Sequence, residues 1–600
     1  MTGPACPMAR MAPTRPTNAS LRSSMGTAGL VIIALQSGCP QPRAISQRQP
    51  DPEPSTTSEP AFGIEVRELP TQDIWTLTYT FPNSACGLRY GRSPDLRRSA
   101  RWRVDAKTET AWVRIGQNDE LRFSRPLTSV VVTLPTDTAE PESAYQLNVA
   151  FDDGARLLYS GYALATPLTE TSSGVCVSAR PDQNPRPRWS FRTSPDRRIV
   201  LPDANAFGHW ETPHLASHIY VYFGQARPIS LPSATVVFDA NMPPWLVSLT
   251  RTHLPPILKY FYTSLQPSGT GKPLILASVQ RGRPGRRTKG GALDRVFQIA
   301  AQGDAWQEPS TSGKHHWLRT LAHESSHLAS GSVGAGPSER ERWVSEGSAS
   351  YLEKRALLDL GWLPRQDYDQ QMVRDANRCM LSLQNDAMWP ELPDSELEWT
   401  CGAWAMRLLD AELRMRTRRR VNLLAALRQT LRHAEARHGR YTTEDFLSRV
   451  ESLAGTSATS AVRNLLFHGL ERPAPAMAEG LRQMRANVVL LPFSEKTPRR
   501  AALDAIARLL SRCMCGHRRA LRDTGSGTLE VQTHTCGAFQ KADAVDMLGD
   551  ISLRDEASRA LAYATAQWRV DRPVPVGIAN SQSRVLVSCP RSLIGHRPHR

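Results

Sequence analysis

The 600-residue chain has few aromatics (7 per cent), only 10 cysteines, and fewer acidic residues (57) than basic ones (74). No internal repeat stands out, which speaks against a solenoid or propeller. No run approaches twenty consecutive apolar residues, so the pattern predicts no membrane-spanning helix. The resulting net charge of +17 is carried mostly by Arg, yet no nucleic-acid-binding motif accompanies it, so nucleic acid is not an expected partner. The densest basic run, Arg414–Arg420, reads as the solvated end of one helix, where cations suit the dipole. Attraction to anionic envelope polymers or lipids is the milder implication of such a charge.

The first 60 residues read as an export segment. Residues 25–35 form an apolar core of signal-peptide length, preceded by Arg10, Arg15 and Arg22. The core ends in Gln36-Ser37-Gly38-Cys39, which resembles a bacterial lipoprotein box with its Leu shifted one place earlier. Cys39 is therefore the expected lipidation site, and the cell envelope the expected location. Residues 40–60 are Pro, Ser, Thr, Gln and charge, the composition of a disordered tether.

Cysteine usage agrees with export. Beyond Cys6 and Cys39 there remain Cys86, Cys176, Cys379, Cys401, Cys513, Cys515, Cys536 and Cys589, an even number that favours disulfides. Grouping by region pairs Cys86 with Cys176 and Cys379 with Cys401, leaving two bridges inside the C-terminal part. The alternative for Cys513, Cys515, His517, His534 and Cys536 is a second zinc site.

The most informative stretch is His323-Glu324-Ser325-Ser326-His327, followed after eighteen residues by Glu346. Residues four apart share a helix face, so both imidazoles can reach one metal ion. The intervening Glu324 points to a neighbouring face, where a carboxylate can act as general base. Two His and one carboxylate leave a fourth tetrahedral position open, the pattern of catalytic rather than structural zinc. Trp317, Leu318, Leu321, Ala322 and Leu328 recur at helical spacing, and Gly331 supplies a stop. Ser338-Glu339-Arg340-Glu341 reads as a capping box for a second helix, which carries Glu346. The metzincin pattern fails, because Val333 stands where its third His would be.

At these residues the chain resembles the gluzincins, particularly the aminopeptidase N and leukotriene hydrolase family, whose motif is HExxH-x18-E. Trp343 to Glu353 resembles that family's WLxEGxxxYLE segment, which implies that Glu353 supports a zinc-binding His. Gly291-Ala292-Leu293-Asp294 resembles the family's GAMEN edge strand. The resemblance implies substrate pairing along Gly291 and Ala292, and recognition of a peptide α-amine by Asp294. Trp399-Thr400-Cys401-Gly402 stands where the family has YxxG, so Trp399 replaces the Tyr that donates to the oxyanion. Tyr351 and Tyr368 are the substitute hydroxyls the sequence offers.

The expected architecture is α+β and multidomain. An N-terminal β domain covers 61–205 and closes at a Pro- and Arg-rich stretch, 180–198. A thermolysin-like catalytic domain covers 206–472, an α+β lobe followed by a helical lobe. A small C-terminal α+β domain covers 475–600. Exported glycyl-aminopeptidase-like gluzincins end in a PDZ domain, which Leu548-Gly549-Asp550-Ile551 faintly resembles. The implied function is a zinc-dependent peptidase, one Zn²⁺ per chain, acting on peptides or proteins and tied to a membrane by lipid. The alternatives are an impaired gluzincin-fold lipoprotein that binds without cleaving, favoured by Trp399, and a hydrolase of non-peptide substrates.

Overall fold

Alternating apolar residues build the N-terminal layers. Ile64 and Val66 lie on β1 (Gly63–Leu69), and Trp75, Leu77, Tyr79 and Phe81 on β2 (Ile74–Arg92), all buried on one face as a period of two requires. The strands run antiparallel with Val66 opposite Leu77, and β3 (Asn118–Pro135) pairs along the other side of β2. The computed structural model describes residues 62–588, apart from 93–97, 106–108, 117, 137–144, 179–186, 213–214, 216–217, 268–270, 331–340, 384–394, 438, 469–498, 516–520, 525–526, 532–534, 537–538, 541–542 and 580–583. Cys39 and the tether lie outside the described residues. Among the described residues, no helix is long and apolar enough to cross a membrane.

The N-terminal β region is longer than its composition suggests. A second sheet is built from β4 (Arg156–Tyr159), β6 (Arg198–Leu201) and β7 (Tyr220–Gly224), with β7 hydrogen-bonded on both sides. Between them in sequence, β5 (Arg188–Arg192) lies parallel to β1 in the first sheet. The region therefore runs to about Gly224 rather than to 205, and the described part of the Pro- and Arg-rich stretch carries β5. Every residue of Tyr220–Gly224 is buried, and a strand buried on both faces belongs between layers rather than at a boundary.

The sheet that carries the site follows. Its strands β8 (Thr235–Phe238), β9 (Leu274–Gln280), β10 (Arg287–Leu293) and β11 (Val296–Gln302) lie in the spatial order β8-β9-β11-β10. The first three are parallel, and β10 closes one edge as the antiparallel arm of a hairpin with β11. A turn joins β10 to β11, and there Asp294 takes φ 48°. Asp tolerates that left-handed conformation better than most side chains. One face of the sheet (Val237, Leu274, Leu276, Val296) packs into the N-terminal core, the other (Val236, Ile275, Phe297, Ile299) into the helical core. Asp239 pins the two together, accepting backbone N–H bonds from Asp152 (2.7 Å), Asn241 (3.0 Å) and Val279 (3.1 Å).

Helices α1 (Pro244–Leu265), α2 (Thr311–Ser330), α3 (Arg342–Asp359), α4 (Arg365–Leu383), α5 (Ser395–Arg416), α6 (Leu423–Glu435) and α7 (Thr443–Ala454) form the helical side. The described part of α2 ends at Ser330, and Gly331 lies outside the described residues. Helix α3 begins at Arg342 after Glu341, whose side chain makes no cap bond; Ser338 lies outside the described residues. Two disulfides follow the regional pairing, Cys86–Cys176 and Cys379–Cys401, the second joining α4 to α5. The C-terminal region is α+β: α8 (Arg499–Cys515) and α9 (Leu553–Arg569) share a core with an antiparallel sheet through Ile506, Leu529, Val545, Trp568 and Val576. Leu548–Ile551 is the tight turn inside that sheet, with Gly549 at φ 62°.

Candidate metal centre

Helix α2 is held from below by Trp317, Leu318, Leu321, Ala322 and Leu328, which are buried in the helical core. That fixes the opposite face, one turn apart, for His323 and His327. Helix α3 supplies Glu346 from the facing side. Together these three form the cluster of metal-competent side chains among the described residues.

Their ligand atoms form a nearly equilateral triangle. His323 Nε2 lies 3.2 Å from His327 Nε2 and 3.5 Å from Glu346 Oε2, and the third side is 3.4 Å. A tetrahedral zinc with bonds of about 2.05 Å requires ligand atoms about 3.3 Å apart. The donor set and its spacing therefore fit zinc without rearrangement. The three side chains keep 17, 17 and 22 per cent of their surface exposed, so the triangle is open on one side.

The surroundings orient each ligand. Glu353 Oε2 lies 3.3 Å from His323 Nδ1, which turns Nε2 toward the triangle. Glu353 is anchored in turn by Arg319 (Nε, 2.9 Å) and by Lys354 (2.9 Å). Burial alone would raise its pKa, but Arg319, Lys354 and His323 hold it well below the usual range. Burial would likewise lower His323, yet hydrogen bonds to Glu346 and Glu353 push it up to about 10. Glu346 is held well below the usual range, the two imidazoles outweighing its burial. Glu324 behaves differently: burial pushes it up, with His323 and His327 opposing and the Glu346 charge adding. A carboxyl raised in this way is suited to take and return a proton.

The edge strand β10 runs across Glu324. Gly290 is the glycine that faces it: a Cβ there would stand 2.4 Å from Glu324 Oε1. Ala292 follows on the same strand face, whereas Gly291 faces the ring of Tyr145 (3.3 Å from its ideal Cβ to Cε1). Asp294 sits in the exposed turn beyond, and its charged neighbours are Arg295 and Asp203, not the metal ligands.

Trp399 does reach the centre. Its indole N–H donates to Glu346 Oε2 at 2.6 Å. The approach depends on two glycines, since Gly347 of α3 and Gly402 of α5 pack backbone to backbone, and a Cβ on Gly347 would meet Gly402 Cα at 2.6 Å. Tyr351 and Tyr368 do not reach it. Both are buried in the helical core, where the Tyr351 hydroxyl donates to Asp410 at 2.7 Å. A residue not picked out in the sequence, Tyr145 from the N-terminal β region, places its ring beside Gly291; burial raises its pKa, and the charges of Glu324 and Glu346 raise it further. Its only signal in the sequence is an aromatic beside a short strand.

No protein-family model matches the sequence, and no curated protein matches it. A solved structure does: that of an aminopeptidase N family protein from Idiomarina loihiensis, with a TM-score of 0.59 at 11% sequence identity, covering 89% of this chain and 97% of the other. The fold is aminopeptidase N-like. At that identity the similarity speaks for the arrangement of layers and helices, and the chemistry is left to the side chains described above.

Proposed function

We propose that the chain is a zinc-dependent peptidase of aminopeptidase type. The observation that carries this reading is the 3.2–3.5 Å triangle of His323, His327 and Glu346, with the raised carboxyl of Glu324 beside it. Zinc, when bound there, polarises a carbonyl and makes a water acidic enough to lose its proton near neutral pH. Glu324 takes that proton and returns it to the leaving amine. The peptide backbone pairs with the outer edge of β10, by the strand-addition mode that edge strands offer. Gly290 keeps this edge clear above Glu324, and Gly291 and Ala292 continue it. Tyr145 donates to the developing oxyanion, a task that preorganised donors perform.

Lipid anchoring through Cys39 and an envelope location belong to the same proposal, on the strength of residues 25–39 and the tether. A second reading, binding without cleavage, is favoured by the engagement of the Trp399 N–H with Glu346, which leaves the family's Tyr position without a donor for substrate. Digestion of a diverse peptide library by the oxidised, zinc-loaded full chain, read by mass spectrometry beside Glu324→Gln, separates the two. The peptidase reading expects single N-terminal residues to be released by the parent, and turnover to fall about 10²–10⁴-fold in the variant with zinc retained. A folded, zinc-containing parent that cleaves nothing supports the binding reading instead.

A further inference from the structure

We propose that Trp399 is a positioning residue of the metal centre: its indole N–H fixes the Glu346 carboxylate in register with the two imidazoles. This rests on the zinc reading above. An indole has one donor and no acceptor. That donor lies 2.6 Å from Glu346 Oε2, the same oxygen that stands 3.4 and 3.5 Å from the imidazole nitrogens. Trp399 therefore binds the ligand atom itself, not the second oxygen of the carboxylate.

The rest of the residue argues for the same role. The residue is 37% exposed, so the side chain is not there to fill a core. Its position is nonetheless fixed: Gly402, one turn on, meets Gly347 backbone to backbone, and Cys401 ties α5 to Cys379 on α4. Both constraints converge on the pair Trp399–Glu346, because Gly347 directly follows Glu346.

The chemistry follows from what each ligand has to hold it. His323 is braced at Nδ1 by Glu353. Apart from the two imidazoles, the donor described for Glu346 is Trp399. A carboxylate without such a partner rotates about its terminal torsion, and part of its ordering cost then falls on metal binding. Outer partners of this kind typically contribute about 10- to 100-fold in metal affinity. The bond also occupies the only N–H of Trp399. The donor that the resemblance assigns to the substrate oxyanion is here turned onto the metal ligand, and the oxyanion task passes to another group.

The test compares the full chain with Trp399→Phe, which keeps an aromatic ring and removes the donor. Zinc affinity is read by chelator competition, the ligand field by the visible spectrum of the Co²⁺ form, and the fold by the melting temperature of the metal-free protein. The expected result is a zinc dissociation constant raised about 10- to 100-fold, shifted Co²⁺ bands and an unchanged metal-free melting temperature. Unchanged zinc affinity and an unchanged Co²⁺ spectrum in Trp399→Phe, with the parent binding both ions, would overturn this inference and leave the peptidase reading standing. A parent that binds neither ion overturns both.

Discussion

Replacing Gly290 with Ala tests the placement of the edge strand over Glu324 more sharply than removing any catalytic group. The added methyl would lie 2.4 Å from Glu324 Oε1, 2.8 Å from Cδ and 2.9 Å from Cγ. Normal non-bonded contact is about 3.5 Å, so the carboxylate has to retreat by about 1 Å. Glu324 is only 7% exposed, and its retreat takes it away from the strand along which substrate is proposed to bind. A displacement of about 1 Å at a reacting group costs about 10²-fold in rate. The backbone itself accepts the change, since Gly290 is not among the positive-φ glycines. Removing glycine's freedom from the unfolded chain favours folding by about 0.4–1 kcal/mol, which offsets part of an overpacking cost of about 1–3 kcal/mol at the displaced carboxylate. Gly290→Ala is thus expected to fold, to melt slightly below the parent, to keep its zinc, and to lose about 10²-fold in kcat/KM on a peptide cleaved by the parent. Gly291→Ala is the comparison: its methyl would stand 3.3 Å from the Tyr145 ring edge and 3.7 Å from Gln298 Nε2, a milder contact than that at Gly290. Equal activity of Gly290→Ala and the parent would refute the reasoning.

Two further substitutions separate support from chemistry. Glu353→Ala removes the partner of His323 Nδ1 and leaves Arg319 and Lys354 without their shared carboxylate. Zinc affinity should fall about 10- to 100-fold and stability by about 3 kcal/mol, read by chelator competition and denaturant unfolding. Normal values of both would remove Glu353 from the site. Tyr145→Phe keeps the ring stacked on Tyr159 and deletes only the hydroxyl. Turnover should drop about 10²-fold at constant zinc content, and an unchanged kcat would return the oxyanion role to some other donor.

What the sequence carried, it carried locally. The spacing of His323, His327 and Glu346 puts metal-ligand chemistry on helix faces, and the periodicity around them dictates that those helices pack. Glu353, offered by the resemblance as the support of a zinc-binding His, stands 3.3 Å from His323 Nδ1. The pairings Cys86–Cys176 and Cys379–Cys401 also answer to region along the chain.

Contacts between segments far apart in the chain were decided only in three dimensions. Composition misplaced the end of the N-terminal β region, because strand membership depends on which neighbours offer free hydrogen bonds, and Tyr220–Gly224 found them on β4 and β6. The GG pair at 290–291 is visible in the sequence, but the hairpin register determines which glycine faces Glu324 and sends Asp294 into a turn. Trp399 read as a lost Tyr; the Gly347–Gly402 contact turned its N–H onto Glu346. Tyr145 comes from another layer altogether. Spacing along a helix fixes which atoms can share a metal, whereas the partners that orient those atoms depend on how separate elements close against one another.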